Sequence, residues 1–163
     1  MNDTTFAEHR LRIVVSGLSS DAHLWNLVYL QLLLEDLGHQ VTNLGNTTPD
    51  RTIVRACRTG RPDLLVISSV NGHGRLDGLR LISALRAVPA LSALPVAIGG
   101  KLGIDGRDHA GTTAQLTAAG YDAVFDDAAE GGPGAGLARF YAFLDRIGAD
   151  RSCGRFAAGA GAA

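Results

Sequence analysis

The feature that most constrains this chain is an alternation of two kinds of segment. Short runs rich in β-branched residues are separated by longer stretches whose apolar residues recur at helical spacing. The short runs are Arg12 to Gly17, Gln40 to Leu44, Asp63 to Ser68, Leu94 to Ile98 and Ala123 to Phe125. Between and after them lie helical stretches at Trp25 to Leu37, Asp50 to about Thr59, Leu76 to Val88, Thr112 to Ala119 and Leu137 to Ile147. Strands that alternate with crossover helices pair in parallel, with helices on both faces of one sheet. Runs such as Asp63 to Ser68, apolar without polar alternation, fit strands buried on both sides. The expected fold is α/β: a flavodoxin-like or Rossmann-like parallel sheet of order 2-1-3-4-5, with a switch point between strands 1 and 3.

Local punctuation supports these elements. Gly38 ends the first helix, Gly60 the second and Gly120 the fourth, and Pro89 closes the third. In Thr47-Thr48-Pro49-Asp50 a threonine is expected to cap, Pro49 to take the first helical position and Asp50 to complement the helix dipole. Residues 1–10 read as a loose polar leader, 11–147 as one domain, and 148–163 as an Ala- and Gly-rich tail too poor in burial to stay ordered.

Several functions are excluded by composition. The 163 residues carry a net charge of −1, with no basic patch for nucleic acid and no interleaved aromatics for base stacking. No apolar run is long enough to span a membrane, and the polar start lacks a signal-peptide core. Cys57 and Cys153 lie far apart and imply neither a disulfide framework nor a zinc site. The expected compartment is a reducing cytoplasm.

Ligands of open parallel sheets bind in loops at the carboxyl ends of strands, near the switch point. Three such loops carry unusual residues. Ser20-Asp21-Ala22-His23-Leu24 follows strand 1, Ser68-Ser69-Val70-Asn71-Gly72-His73-Gly74 ends strand 3, and Gly99-Gly100-Lys101-Leu102-Gly103 follows strand 4. Asp21 and His23 can act as a ligand pair: one imidazole nitrogen takes a metal while the other donates its N–H to the carboxylate. The plainer alternative is that Asp21 caps the next helix. Ser68 and Ser69 offer hydroxyls at a buried strand end, or simply local turn bonds. Gly72-His73-Gly74 could hold His73 over the crevice or in solvent. Gly99-Gly100 removes two side chains where something approaches the backbone, or makes a turn. Phosphate-binding loops are absent. A response-regulator receiver would need an aspartate ending strand 3, where this chain has Ser68.

Taken together, Asp21-x-His23-x-x-Asn26, Ser68-x-Val70 and Gly99-Gly100 resemble the cobalamin-binding domain of B12-dependent mutases and methionine synthase, whose pattern is Asp-x-His-x-x-Gly, Ser-x-Leu and Gly-Gly. The resemblance spans about Arg12 to Ile147. Ser68-Ser69-Val70-Asn71-Gly72-His73-Gly74-Arg75-Leu76-Asp77 is further similar to the small subunit of glutamate mutase (methylaspartate mutase). The resemblance implies adenosylcobalamin as cofactor and His23 as lower axial ligand to cobalt, steadied by Asp21. It also implies a nucleotide tail running past Ser68 over Gly99-Gly100, where a Cβ would collide with it. Ser20, Ala22, Leu24, Ser69, Val70, Gly72, His73, Lys101, Leu102 and Gly103 are the remaining expected cofactor contacts. A large catalytic mutase subunit is the implied partner, with the radical chemistry residing on the cofactor rather than on this chain's side chains. Asn26 departs from the family glycine, with Trp25 beside it. Two other readings stay open: a corrinoid carrier or B12-sensing module without isomerase activity, and an interaction domain that has lost the cofactor, its slot filled by Asn26 and Trp25.

Overall fold

The computed structural model describes residues 10–103, 109–127 and 133–159. Strands β1 (Arg12–Ser16), β2 (Gln40–Asn43), β3 (Leu64–Ser69), β4 (Val96–Gly100) and β5 (Ala123–Asp126) form one parallel sheet in the order β2-β1-β3-β4-β5. Helices α1 (Trp25–Asp36), α2 (Asp50–Gly60), α3 (Gly74–Arg86), α4 (His109–Ala119) and α5 (Pro133–Gly159) connect or follow them, and Pro89–Leu91 is a single 3₁₀ turn. This is the expected topology, a flavodoxin-like fold.

All of β3 is buried, as its unbroken apolar run requires. Its register sets the geometry of the site. Ile13 pairs with Leu64 and Ser16 with Ile67 on one side; Ser68 pairs with Gly99 and Ser69 with Gly100 on the other. Side chains alternate between two cores. Val14, Ile67 and Ile98 pack with Ile53 and Cys57 of α2, Leu81 and Leu85 of α3 and Leu116 of α4. Val15, Val66 and Ala97 pack on the opposite face with Leu27 and Leu34 of α1 and Phe140 and Phe143 of α5. Helices α1 and α5 therefore share one face of the sheet.

Three local expectations are corrected. Thr48 does not cap α2: its hydroxyl turns back onto the Gly45 carbonyl at 2.9 Å, and Pro49 is the N-cap in extended backbone. The glycine pair is not a loop after β4 but its last two residues, so the strand runs further than its apolar run does. Helix α5 also does not end at Ile147 but continues to Gly159. Alanine is a strong helix former, and Arg151 ties this end to the sheet through a 2.5 Å ion pair with buried Asp63. Asp63 also accepts the Arg12 N–H at 2.7 Å. The leader to residue 9 and residues 160–163 lie outside the described residues.

Candidate cofactor site

Asp21 is the hub of the carboxyl edge. It is only 1% exposed, and both its carboxylate oxygens are used. Oδ2 accepts the Val70 N–H at 2.7 Å, which joins the loop after β1 to the loop after β3. Oδ1 accepts the His23 N–H at 3.0 Å and lies 2.7 Å from His23 Nδ1. Burial pushes the Asp21 carboxyl up, but the hydrogen bonds from the His23 and Val70 amides, the His23 ring and Ser69 outweigh it, so it stays below the usual carboxylate range. An ionised Asp21 only accepts, so the contact requires the proton on Nδ1, and Nε2 carries the lone pair. The imidazole is 61% exposed. A fixed ring with one basic nitrogen turned outward is the preparation expected of a metal ligand. Asp21 does not cap α1; Leu24 is the N-cap, without a side-chain bond.

The loop is braced from behind. Asn71 Nδ2 donates to the Ser20 carbonyl at 2.9 Å, the Ser20 hydroxyl bonds Asp77, and Asn46 Nδ2 donates to the Ala22 carbonyl at 2.6 Å. Arg80 completes the bracing: it bonds the Ser19 hydroxyl at 2.8 Å and pairs with Asp77 at 2.7 Å and Asp50 at 2.6 Å.

Beside this loop lies a cavity of about 530 Å³ between α1 and α5, within the range of small-molecule sites. Its lining is mainly apolar: Tyr29 and Leu30 from α1, Val66 and Ala97 from the sheet, and Leu137 and Phe140 from α5. Ser68, Val70, Gly99 and Gly100 complete the sheet side, with Phe125 next to Gly99. Val70 both lines the cavity and holds Asp21, so the His23 loop and the cavity are mechanically joined.

The expected site residues divide into three groups. Asp21, His23, Ser68, Ser69, Val70, Gly99 and Gly100 come together around the cavity and its adjoining loop, with Ser69 buried against Asp21. Ser20, Ala22 and Leu24 frame His23, and Leu24 is exposed. The third group stands apart. Leu102 is buried in the opposite core, on the α3 and α4 side. His73 is the exposed N-cap of α3. Lys101, Gly72 and Gly103 are described but do not line the cavity.

The glycine pair has a structural reason beside any ligand. A Cβ on Gly100, at φ +106°, would sit 2.1 Å from the Ser69 carbonyl oxygen. A Cβ on Gly99 would lie on the cavity face but 3.1 Å from the Phe125 carbonyl oxygen. Trp25 is 83% exposed and plugs nothing. Asn26 does reach in: Nδ2 donates to the Ser68 hydroxyl at 2.7 Å. The aromatic and aliphatic walls from α1, β5 and α5 were absent from the sequence-based site. Their one signal was the i, i+3, i+4 set Asn26, Tyr29 and Leu30, which also fits plain core packing.

The profile of the B12 binding domain matches residues 11–130. The chain belongs to the B12-binding domain family. That membership makes its cofactor a cobalamin. The glutamate mutase sigma subunit 1 of Haloarcula marismortui is 31% identical over 114 residues, covering 70% of this chain and 74% of that one. A cobalamin-binding protein from Desulfitobacterium hafniense superposes with a TM-score of 0.57 at 22% identity, over 71% of this chain and 52% of that one. The chain thus spans about half of that larger protein. A chemotaxis response regulator of Vibrio cholerae superposes with a TM-score of 0.59 at 14% identity, over 85% and 98% of the two chains. At these identities the two structures share the fold alone. Among the described residues, no helix is long and apolar enough to cross a membrane.

Proposed function

We propose that this chain is the cobalamin-binding subunit of an adenosylcobalamin-dependent carbon-skeleton mutase, acting with a larger catalytic subunit. The substrate pair is glutamate and 3-methylaspartate or a close amino-acid relative. The observation that carries the reading is the Asp21–His23 pair, joined through Val70 to an apolar cavity large enough for a nucleotide tail.

The donor set fits the cofactor. His23 Nε2 would hold the cobalt, with Asp21 fixing the ring through Nδ1. The cavity between α1 and α5, with Gly99 and Ser68 in its lining, would hold the nucleotide tail, and the Ser68 hydroxyl would be available to it as a donor. Ser20, Ala22 and Leu24 frame the ligand loop, while Ser69 steadies Asp21. When bound, the cofactor supplies the cobalt–carbon bond whose homolysis starts the rearrangement. This chain's residues bind, orient and tune; the amino acid is held by the partner. Similarity to a glutamate mutase sigma subunit supports both the substrate class and the divided enzyme.

The test is an absorption titration with adenosylcobalamin, for the parent and for His23→Ala. The parent should give the spectrum of a histidine-ligated, tail-displaced corrinoid, and the variant should lose that spectrum and bind more weakly. His23→Ala should lower folding stability by only about 1 kcal/mol, because it removes one of several hydrogen bonds to Asp21 and the ring itself is largely exposed. A variant with the parent's spectrum and affinity refutes the ligand assignment. Mixing the loaded parent with a glutamate mutase large subunit then tests the substrate.

A further inference from the structure

We infer that Asn26 is a latch on the tail cavity: its side chain covers the Ser68 hydroxyl, and must swing out before the tail can enter. The inference rests on the cavity being the tail slot, as proposed above.

Asn26 stands in the first turn of α1, where the family pattern has glycine. Its Nδ2 donates to Ser68 Oγ at 2.7 Å, and Ser68 is itself buried. The other end of the amide, Oδ1, is buried and has no partner among the described residues. The inward pose therefore gains one hydrogen bond and leaves one desolvated acceptor unsatisfied, two contributions of similar size and opposite sign. Turned outward, both ends of the amide are hydrated. The latch is closed but weakly held, and a ligand that fills the cavity can push it aside to reach the Ser68 O–H, a donor that Asn26 does not use. A leucine of similar size would have no acceptor to satisfy and would stay in the cavity. A glycine would leave the mouth open.

Two variants and two probes test this. Aquocobalamin carries the nucleotide tail; aquocobinamide has the same cobalt and corrin ring without it. In Asn26→Gly, aquocobalamin should bind about two- to fivefold tighter, the gain from removing a closed pose that is near balance with the open one. In Asn26→Leu it should bind about tenfold or more weaker, since a buried apolar plug must be expelled. Aquocobinamide, which needs only His23, should change less than about twofold in either variant, well under the energy of one hydrogen bond. In the ¹⁵N-labelled parent, the side-chain NH₂ pair that is missing from Asn26→Gly should shift with aquocobalamin and stay in place with aquocobinamide. If the two probes move together, or the glycine variant shows no gain, the latch is overturned while the cofactor assignment stands. If the parent takes up neither corrinoid, the proposed function fails and the latch falls with it.

Discussion

Replacing Asp21 by alanine removes the one group that holds both loops and the imidazole. In the folded chain the carboxylate accepts from the Val70 amide at 2.7 Å and the His23 amide at 3.0 Å, and lies 2.7 Å from the ring nitrogen of His23. A hydrogen bond to a charged group contributes about 1.5–3 kcal/mol, and an orphaned buried donor costs about 1–3 kcal/mol. The His23 ring can turn to water, so its share is small. The two amides remain, and together they place the loss near 3–5 kcal/mol, the size of breaking a buried charged contact. At about 2–4 °C per kcal/mol for a chain of this length, the melting temperature should fall by roughly 6–20 °C. Urea unfolding should show a lower midpoint with an unchanged slope. Acidification gives a second readout. The folded pKa of Asp21 lies below its unfolded value. Its stabilisation is therefore full above the unfolded value near about 3.9 and is lost as pH falls through the folded pKa. The parent's advantage over Asp21→Asn should be constant between about pH 5 and 7 and shrink below about pH 4. An Asp21→Ala variant as stable as the parent would refute the hub, and a parent-to-Asn gap that grows on acidification would refute the sign.

Gly100→Ala combines a Cβ 2.1 Å from the Ser69 carbonyl oxygen with a φ of +106°, so β3 and β4 must separate at the carboxyl edge. Denaturant unfolding should register a loss of at least about 3 kcal/mol; a loss under 1 kcal/mol would mean that the strand ends yield easily. Cys57 packs in the core, and burial pushes its thiol up to about 12, whereas Cys153 is exposed. Iodoacetamide at neutral pH should label the native chain at Cys153 alone and reach Cys57 only after unfolding, as read by peptide mass. Native labelling of Cys57 would contradict the packed α2 core.

The fold was legible because its signal is carried by whole segments. Each strand run and each helical stretch appeared where the sequence placed it, and the strand order followed from parallel crossovers. Errors gathered at element ends, where one residue's side-chain bond decides. Thr48 bonds backward to Gly45 rather than forward into α2, and β4 runs through two glycines because the Ser69 backbone needs the space. In the site, Asp21 and His23 were legible because two residues of separation already bring their side chains into contact. The cavity walls were not. Tyr29, Phe125 and Phe140 are brought together only by α1 and α5 sharing a face, and each alone reads as an ordinary core residue. Leu102 stands apart for the opposite reason: close in sequence to the glycine pair, it turns to the other core.

The likeness to a response regulator shows how little of the function resides in the sheet. The same strand order delivers the ends of β1, β3 and β4 to one edge in both folds, and the difference lies in which side chains arrive there. A phosphate-accepting edge needs a carboxylate at the end of β3. Here that position is Ser68, a neutral donor, and the carboxylate of the edge, Asp21, is buried and fully used in holding His23 and Val70. An acid so engaged cannot also serve as an exposed nucleophile. Moving the charge from β3 to the loop after β1 turns the edge from one that accepts a phosphoryl group into one that presents a single oriented imidazole nitrogen. The space on the α1 and α5 side follows the same logic: Gly99, small where a side chain would fill the cavity, keeps that space open beside the imidazole loop.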